Sequence, residues 1–554
     1  MSPLELYRAK YFQPEDLARF FSKNPSGKAC FCPDVGVGKT HLIIKSTPIL
    51  QLQFPQIFIA TSQHQIKSEI ATKLARYGVQ TEPQRDKELC GKREKDWERI
   101  HQLGISLIGK KVICGECDKQ EVCPWFRFKR EESPVTVLTQ DSLFKQADDI
   151  PPSALIMLDE TKFLERPLEN KIDHQDILLF SKAIPAGRDF DWLYTATQQM
   201  LERKAPAPLE GLSKENLWRL FGALYHKGVK NILPIIMNYA DGAPVALDKR
   251  IYYLERHFQH NAILVLGAGA DKNLLEHYFN SQVTDLTPVE KYRDPGTKIY
   301  CIASSSASPN NLRKRASARD SVFSFVRKKI WANRSSNKRT LLVAKRELIP
   351  LIQKALPNYI SQNDKIEIVH VEANNLKKSS FDGLTKVPII NYGVEGVNLF
   401  EEFECVICVS GFYIPEKAIS ERLKKLGVGQ DIEVTIPRCD ADHPRRVFTS
   451  PETHLAMAIL NSLERDRIYQ AVGRVRFWTK PREVIVTGFQ DFEGVDKKFR
   501  SFKEAAEFFK FSKRQNTKRR CLELRQQGLT LQQISTEVGR TVRTVSRHLK
   551  GDER

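Results

Sequence analysis

The sequence predicts an α/β protein built on two parallel sheets, each covered by helices on both faces. Three observations lead there. Short, continuously apolar runs alternate with helical segments, the pattern left by strands buried on both faces. A glycine loop joins one such run to a helix at residues 36–40. A second series of apolar runs opens at Arg339 and repeats the alternation.

Taken in order, residues 1–29 read as helical, with Leu17, Phe20 and Phe21 as a packing face. Cys30, Phe31 and Cys32 make a short buried strand. Gly36-Val37-Gly38-Lys39-Thr40 follows, and then a helix carrying Leu42, Ile43 and Ile44. The glycines let the backbone bend so that its N–H groups face inward and cradle phosphate oxygens. Lys39 would set an ammonium at the β/γ-phosphates, and the Thr40 hydroxyl would ligate Mg²⁺. The helix points its positive end at the same anion. Gly36, Val37, Gly38, Lys39 and Thr40 are therefore the candidate nucleotide-binding residues, with ATP and Mg²⁺ as the expected cofactors. Pro33 stands where the full phosphate-loop pattern opens with glycine.

The next strand covers 56–61 and precedes a helix with Ile66, Ile70 and Leu74. Residues 135–139 lead to Gln140 and Asp141, and residues 154–158 end in Asp159-Glu160-Thr161. A parallel sheet presents ligands at that edge. Asp159 is placed to hold Mg²⁺ through water, and Glu160 to orient or deprotonate the attacking water. Between the two sites lie Cys90, Cys114-Gly115-Glu116-Cys117 and Cys123-Pro124-Trp125, within a basic insertion at 85–131. The C-x2-C-x5-C-P run brings three thiolates onto one loop, and Cys90 completes four, which points to a metal centre. Spacing alone does not separate Zn²⁺ from a [4Fe–4S] cluster.

Residues 163–260 read as mostly helical, and the strand 262–266 runs into Gly267-Ala268-Gly269-Ala270. The polar stretch 304–309 reads as a domain boundary, giving α/β domains at 1–310 and 311–510. In the second, apolar runs at 339–344, 366–371, 388–390 and 405–409 precede a helix and turn over 467–476 that presents Arg474 and Arg476. The planar guanidinium spreads phosphate charge in a transition state. Residues 515–554 form a last unit of helices at 517–527, 531–538 and 542–550, punctuated by Gly528 and Gly539. This spacing matches a helix-turn-helix, with Arg540, Arg543, Thr544 and Arg547 as candidate nucleic-acid contacts; a small helical protein-binding domain is the alternative.

The 554 residues carry 87 Lys plus Arg against 67 Asp plus Glu, a net charge of +20 that argues for a polyanionic partner. No apolar run approaches membrane-spanning length, so no membrane association is expected. Eleven unevenly spread cysteines fit a reducing, cytoplasmic setting better than a disulfide framework.

In this order the motifs resemble those of the superfamily 2 helicases, and within them the XPD- and DinG-like iron–sulfur group. The resemblance covers residues 1–490. It rests on Pro33-x-x-Gly36-x-Gly38-Lys39-Thr40, Ala60-Thr61-Ser62, Asp159-Glu160 and Gln470-x-x-Gly473-Arg474-x-Arg476, with the cysteines between the phosphate loop and the Asp-Glu strand. It implies two RecA-like motor domains, with Lys39, Thr40, Asp159 and Glu160 from the first and Gln470, Arg474 and Arg476 from the second serving one ATP. It also implies a [4Fe–4S] cluster at Cys90, Cys114, Cys117 and Cys123, a helical arch at 163–260, and action on single-stranded and duplex DNA in replication, repair or mobile-element processing. Three departures stand out. Thr161-Lys162 replaces the usual histidine, Gly267-Ala268-Gly269-Ala270 replaces a Ser-Ala-Thr motif, and one residue separates the two arginines. The competing expectation is an ATP-switched, site-specific DNA-binding regulator that does not separate strands.

Overall fold

Strands buried along most of their length bury both faces, and the middle of the first sheet is built from such strands. In chain order come β1 (Lys28–Phe31), β2 (Ile57–Thr61), the half-buried edge strand β3 (Val79–Thr81), β4 (Val135–Thr139) and β5 (Leu155–Asp159), of which β1, β2, β4 and β5 are the buried ones. Smaller strands β6 (Ile172–Asp173), β7 (Val245–Leu247) and β8 (Arg250–Tyr253) come next, before β9 (Ala262–Leu266) and β10 (Val283–Asp285). The computed structural model describes residues 2–33, 37–62, 64–83, 94–105, 121–131, 133–147, 150–161, 163–164, 172–204, 212–240, 245–247, 250–253, 257–267, 271–357, 366–372, 381–393, 399–426, 433–435, 447–449, 453–488, 492–509, 517, 521, 524–525 and 527–550.

The first seven-stranded sheet has the order β10-β1-β9-β5-β2-β4-β3, and every pairing in it is parallel. Parallel strands need crossover connections, and helices such as Lys39–Leu50, between β1 and β2, and His64–Leu74, between β2 and β3, supply them. The second sheet joins β11 (Lys298–Ile302), β12 (Thr340–Ala344), β13 (Glu367–His370), β14 (Lys386–Asn391) and β15 (Cys405–Cys408). After a two-stranded ribbon of β16 (Glu433–Thr435) and β17 (Val447–Thr449), β18 (Glu483–Thr487) and β19 (Lys497–Phe499) complete it. Its order is β13-β14-β12-β15-β18-β11-β19, again parallel throughout. The fold is α/β, with two RecA-like parallel-sheet domains.

The chain divides into two units differently from the sequence expectation. The first gathers Met1–Tyr292, Ile414–Thr435 and Val447–Asp466, and the second is built on Arg293–Tyr413 and Arg467–Arg554. The boundary expected after residue 310 therefore falls earlier, because β11 pairs with β18 and β19 in the second sheet. Part of the expected 311–510 domain also belongs to the first unit. Ile419 and Leu423 from helix Glu416–Lys425, Leu426 at its C-cap, and Leu455 and Ile459 from helix Thr453–Leu460 share a core with Leu274, Leu275 and Tyr278. Their three- and four-residue spacing marks a buried face, but spacing does not say which sheet's helices that face will meet.

The expected helical region at 163–260 contains the helices His174–Ala183, Asp191–Glu202, Lys214–Lys227 and Leu233–Ala240, around Phe180, Leu193, Met200, Leu220, Leu224 and Ile236. It is not wholly helical, since β6, β8 and β7 form a small antiparallel sheet. The helix Glu94–Leu103 from the cysteine-rich insertion joins the same core through Ile100 and Leu103. Tyr225 Oη donates to Asp96 at 3.2 Å, and the Asn231 amide to the Leu103 carbonyl at 2.7 Å. Helix Glu94–Leu103 and the four helices between residues 174 and 240 thus pack around one core.

At the C-terminus, helices Leu531–Val538 and Val542–Lys550 match the expected boundaries. Thr530 caps the first with a capping box completed by Gln533, and Gly539 ends it in the left-handed conformation at φ 59°. Cys521, Leu524, Ile534 and Val545 form the small buried centre. No helix among the described residues is long and apolar enough to cross a membrane.

Candidate nucleotide site

β1 and β5 flank β9, so the segments that follow them emerge side by side at the same edge of the first sheet. That edge is where open α/β sheets bind ligands. Gly38, at φ 127°, is the N-cap of helix Lys39–Leu50, which places Lys39 in the first turn with its side chain only 9% exposed. Buried Leu42, Ile43 and Leu50 hold the helix to the sheet. Full burial of one such side chain stabilises by about 1.5–3 kcal/mol.

Lys39 Nζ lies 3.1 Å from Glu160 Oε1. Burial pulls the lysine's pKa down, but the Glu160 and Asp159 carboxylates outweigh it and leave it raised, so the ammonium stays charged. Asp159, the last residue of β5, is 3% exposed. Burial first, and the Glu160 charge second, push its carboxyl up to about 7. A cation and two carboxylates thus meet where the sheet opens. The arrangement suits phosphate and Mg²⁺: the ammonium can exchange a carboxylate for phosphate oxygens, and a divalent cation would stabilise the ionised Asp159.

Glu160 has a left-handed backbone at φ 75°. For a non-glycine residue that conformation costs roughly 1–2 kcal/mol, and it persists only where neighbours enforce it. Here the Glu160 amide donates to the Leu266 carbonyl at 2.8 Å. From the other side, Gln140 Nε2 donates to the Asp159 and Glu160 carbonyls at 2.8 and 2.9 Å. Gln140 was legible only as the residue after a buried strand. Its signal was position, since β4 ends at the same sheet edge as β5. Arg8 was not singled out by sequence at all. Its Nε donates to the Val37 carbonyl at 2.5 Å, and it lies where a side chain at Gly38 would point.

Thr40 is half-buried in the first turn of the helix, and Val37 is buried. Gly36 lies outside the described residues, as do Ala268, Gly269, Ala270 and Lys162. In the second unit, helix Asp466–Val472 carries half-buried Gln470 and passes through a tight turn, Gly473–Val475, to Arg476. Arg476 takes φ 58° and pairs with Glu401 through Nη2 at 3.1 Å and Nε at 3.2 Å. Arg474 is half-buried in the turn.

Of the four expected metal ligands, Cys90, Cys114 and Cys117 lie outside the described residues. Cys123 is a half-buried thiol, outside any disulfide, at the N-cap of helix Pro124–Arg130. Among the described residues no three metal-ligating side chains gather. Of the expected nucleic-acid contacts, Arg540, Arg543 and Arg547 are exposed, and Thr544 is half-buried with its hydroxyl 3.0 Å from that of Thr541.

No family model matches the chain, and no curated protein does. Among solved structures it is similar to an XPD helicase, at 14% identity over 86% of this chain and 95% of that one, TM-score 0.47. It is also similar to Xpd4 of S. tokodaii, at 13% identity over 88% and 95%, TM-score 0.41. Dbp5 of S. cerevisiae bound to RNA and ADP–BeF3 is similar at 11% identity over 92% and 91%, TM-score 0.35.

Proposed function

We propose that this chain is an ATP-driven DNA helicase or translocase of superfamily 2. The observation that carries the reading is the meeting of Lys39, Asp159 and Glu160 at the ligand edge of a parallel sheet, with Lys39 Nζ 3.1 Å from Glu160 Oε1. Lys39 binds the β/γ-phosphates, Thr40 and Asp159 hold Mg²⁺, and Glu160, released from Lys39 by the incoming phosphates, positions the attacking water. Mg²⁺ supplies neutralisation of the charge that develops on the leaving phosphate. Arg474 and Arg476 of the second unit are the guanidiniums that would spread the transition-state charge, and Arg476 is held in the structure by Glu401.

The partner is DNA, on the strength of the net charge of +20 and of the exposed Arg540, Arg543 and Arg547 on and beside the last helix. The C-terminal helices act as a helix-turn-helix on duplex, and the motor tracks a single strand. Cys90, Cys114, Cys117 and Cys123 hold a [4Fe–4S] cluster, with Zn²⁺ as the alternative occupant of four thiolates. The free thiol of Cys123, at a helix start beside a Pro-Trp pair, suits such a ligand. Replication, repair or the opening of mobile-element ends would combine duplex recognition with strand separation.

The deciding experiment measures ATP hydrolysis with single-stranded DNA, duplex DNA and no DNA, beside unwinding of a forked duplex. DNA-stimulated hydrolysis with strand separation is the expected result. Duplex binding and hydrolysis without separation would move the reading to the ATP-switched regulator, which the exposed arginines of the last helix also suit.

A further inference from the structure

We infer that Gln140 is a positioning residue for hydrolysis, holding the Asp159–Glu160 turn in register through its side-chain amide. The inference rests on the proposed ATPase reading. Three strands set the geometry. Thr139 at the end of β4, Thr61 of β2 and Asp159 of β5 are register partners in one row across the sheet. Gln140 stands one residue beyond that row, at the start of helix Gln140–Lys145, which Thr139 caps by accepting from the Ser142 amide. Its side chain crosses the end of β2 and ends on the carbonyls of Asp159, the last residue of β5, and of Glu160 just beyond it.

Those two hydrogen bonds, at 2.8 and 2.9 Å, leave from one nitrogen. Two carbonyl acceptors fix the amide's orientation, since only the NH₂ end can donate. The Glu160 amide is tied from the opposite side to Leu266 of β9. The left-handed turn at φ 75° is thus held from both sides, by the flanking β9 and by Gln140 from beyond β2, and the carboxylate it presents is the one that reaches Lys39.

The chemistry of the residue points the same way. Gln140 is 4% exposed, and its Oε1 is buried with no hydrogen-bond partner among the described residues. A buried acceptor without a partner opposes folding. An amide kept in such a place serves something other than stability, and here its two donors act on the segment that carries both catalytic carboxylates.

The test compares Gln140→Glu and Gln140→Ala with the wild-type chain. Glu has the same shape but presents no donor to either carbonyl. A misplaced reacting group costs up to about 100-fold in rate, so kcat for ATP should fall roughly 10- to 100-fold. The KM for ATP should stay within about threefold, because an interaction used only in turnover leaves ground-state binding alone. Circular dichroism and thermal midpoints verify that each variant is folded. In a Glu160→Gln background, adding Gln140→Glu should lower the residual rate by less than about twofold, since residues acting through one another are not additive. The inference is overturned if folded variants turn over like the wild type, if only KM changes, or if the full loss persists in the Glu160→Gln background. A wild-type chain that neither binds nor hydrolyses ATP would instead overturn the parent reading, and this inference with it.

Discussion

Glu160 is held twice, by its carboxylate on Lys39 and by its backbone between Gln140 and Leu266, so its side chain can be changed without freeing the turn. Glu160→Gln should retain nucleotide binding while hydrolysis falls by roughly 100-fold or more, the usual worth of a positioned general base. Lys39→Ala should lose binding and hydrolysis together, which equilibrium titration with a fluorescent nucleotide separates from the first case. Asp159 gives a pH signature. Its folded carboxyl is raised to about 7, above the unfolded value, by burial and then by Glu160. A raised acid stabilises the fold below its unfolded pKa, and that contribution is lost as pH climbs through the folded one. In nucleotide-free, chelated buffer, Asp159→Asn should therefore gain stability relative to wild type from about pH 4 to about 7, with a constant gap above. Thermal midpoints measured across that window would show it; a gap independent of pH would mean that Asp159 is not buried as described.

At the scale of elements, the proposed phosphate loop depends on Gly38 for two separate reasons. Its φ of 127° is unfavourable for any residue with a Cβ, and a Cβ there would sit 2.8 Å from Arg8 Nε. Gly38→Ala should weaken ATP binding by about tenfold, of the order of a 1–2 kcal/mol backbone penalty. Arg8→Ala in the same chain should recover only the crowding part of that loss. Full recovery would show that the dihedral is not limiting. The sheet edge itself comes from strand order: β9 between β1 and β5 sets Lys39 and Glu160 within reach of one another.

For the whole molecule, the C-terminal helices carry their own small core of Cys521, Leu524, Ile534 and Val545. Removing residues 515–554 should weaken duplex binding while leaving single-strand-stimulated ATPase mostly intact. Loss of all hydrolysis in soluble truncated protein would make the tail part of the motor. The cysteine insertion gives the second whole-molecule test. Anaerobically purified protein should be brown, with broad absorption near ~400 nm from thiolate-to-iron charge transfer. Colourless protein with about one equivalent of zinc would make Zn²⁺ the occupant of the proposed four-thiolate site instead.

Much of this was legible along the chain. β4 and β9 have the boundaries that their apolar runs predict, and the last two helices begin and end where Thr530 and Gly539 place them. These are local signals: burial on both faces, a cap, a left-handed stop. The same locality sets Lys39 at a helix start and Asp159-Glu160 at a strand end. What only the tertiary structure decided is non-local. Leu423 and Ile459 are apolar in the sequence, but their neighbours Leu274 and Tyr278 come from another part of the chain. Ile100 shares a core with Leu220 and Phe180 although β4 and β5 of the first sheet lie between them in sequence. Gln140 reads as an ordinary polar residue until two carbonyls at the end of β5 and just beyond it arrive at its amide. Periodicity records that a face is buried; which surface buries it depends on strand order and crossover, which no single stretch of sequence contains.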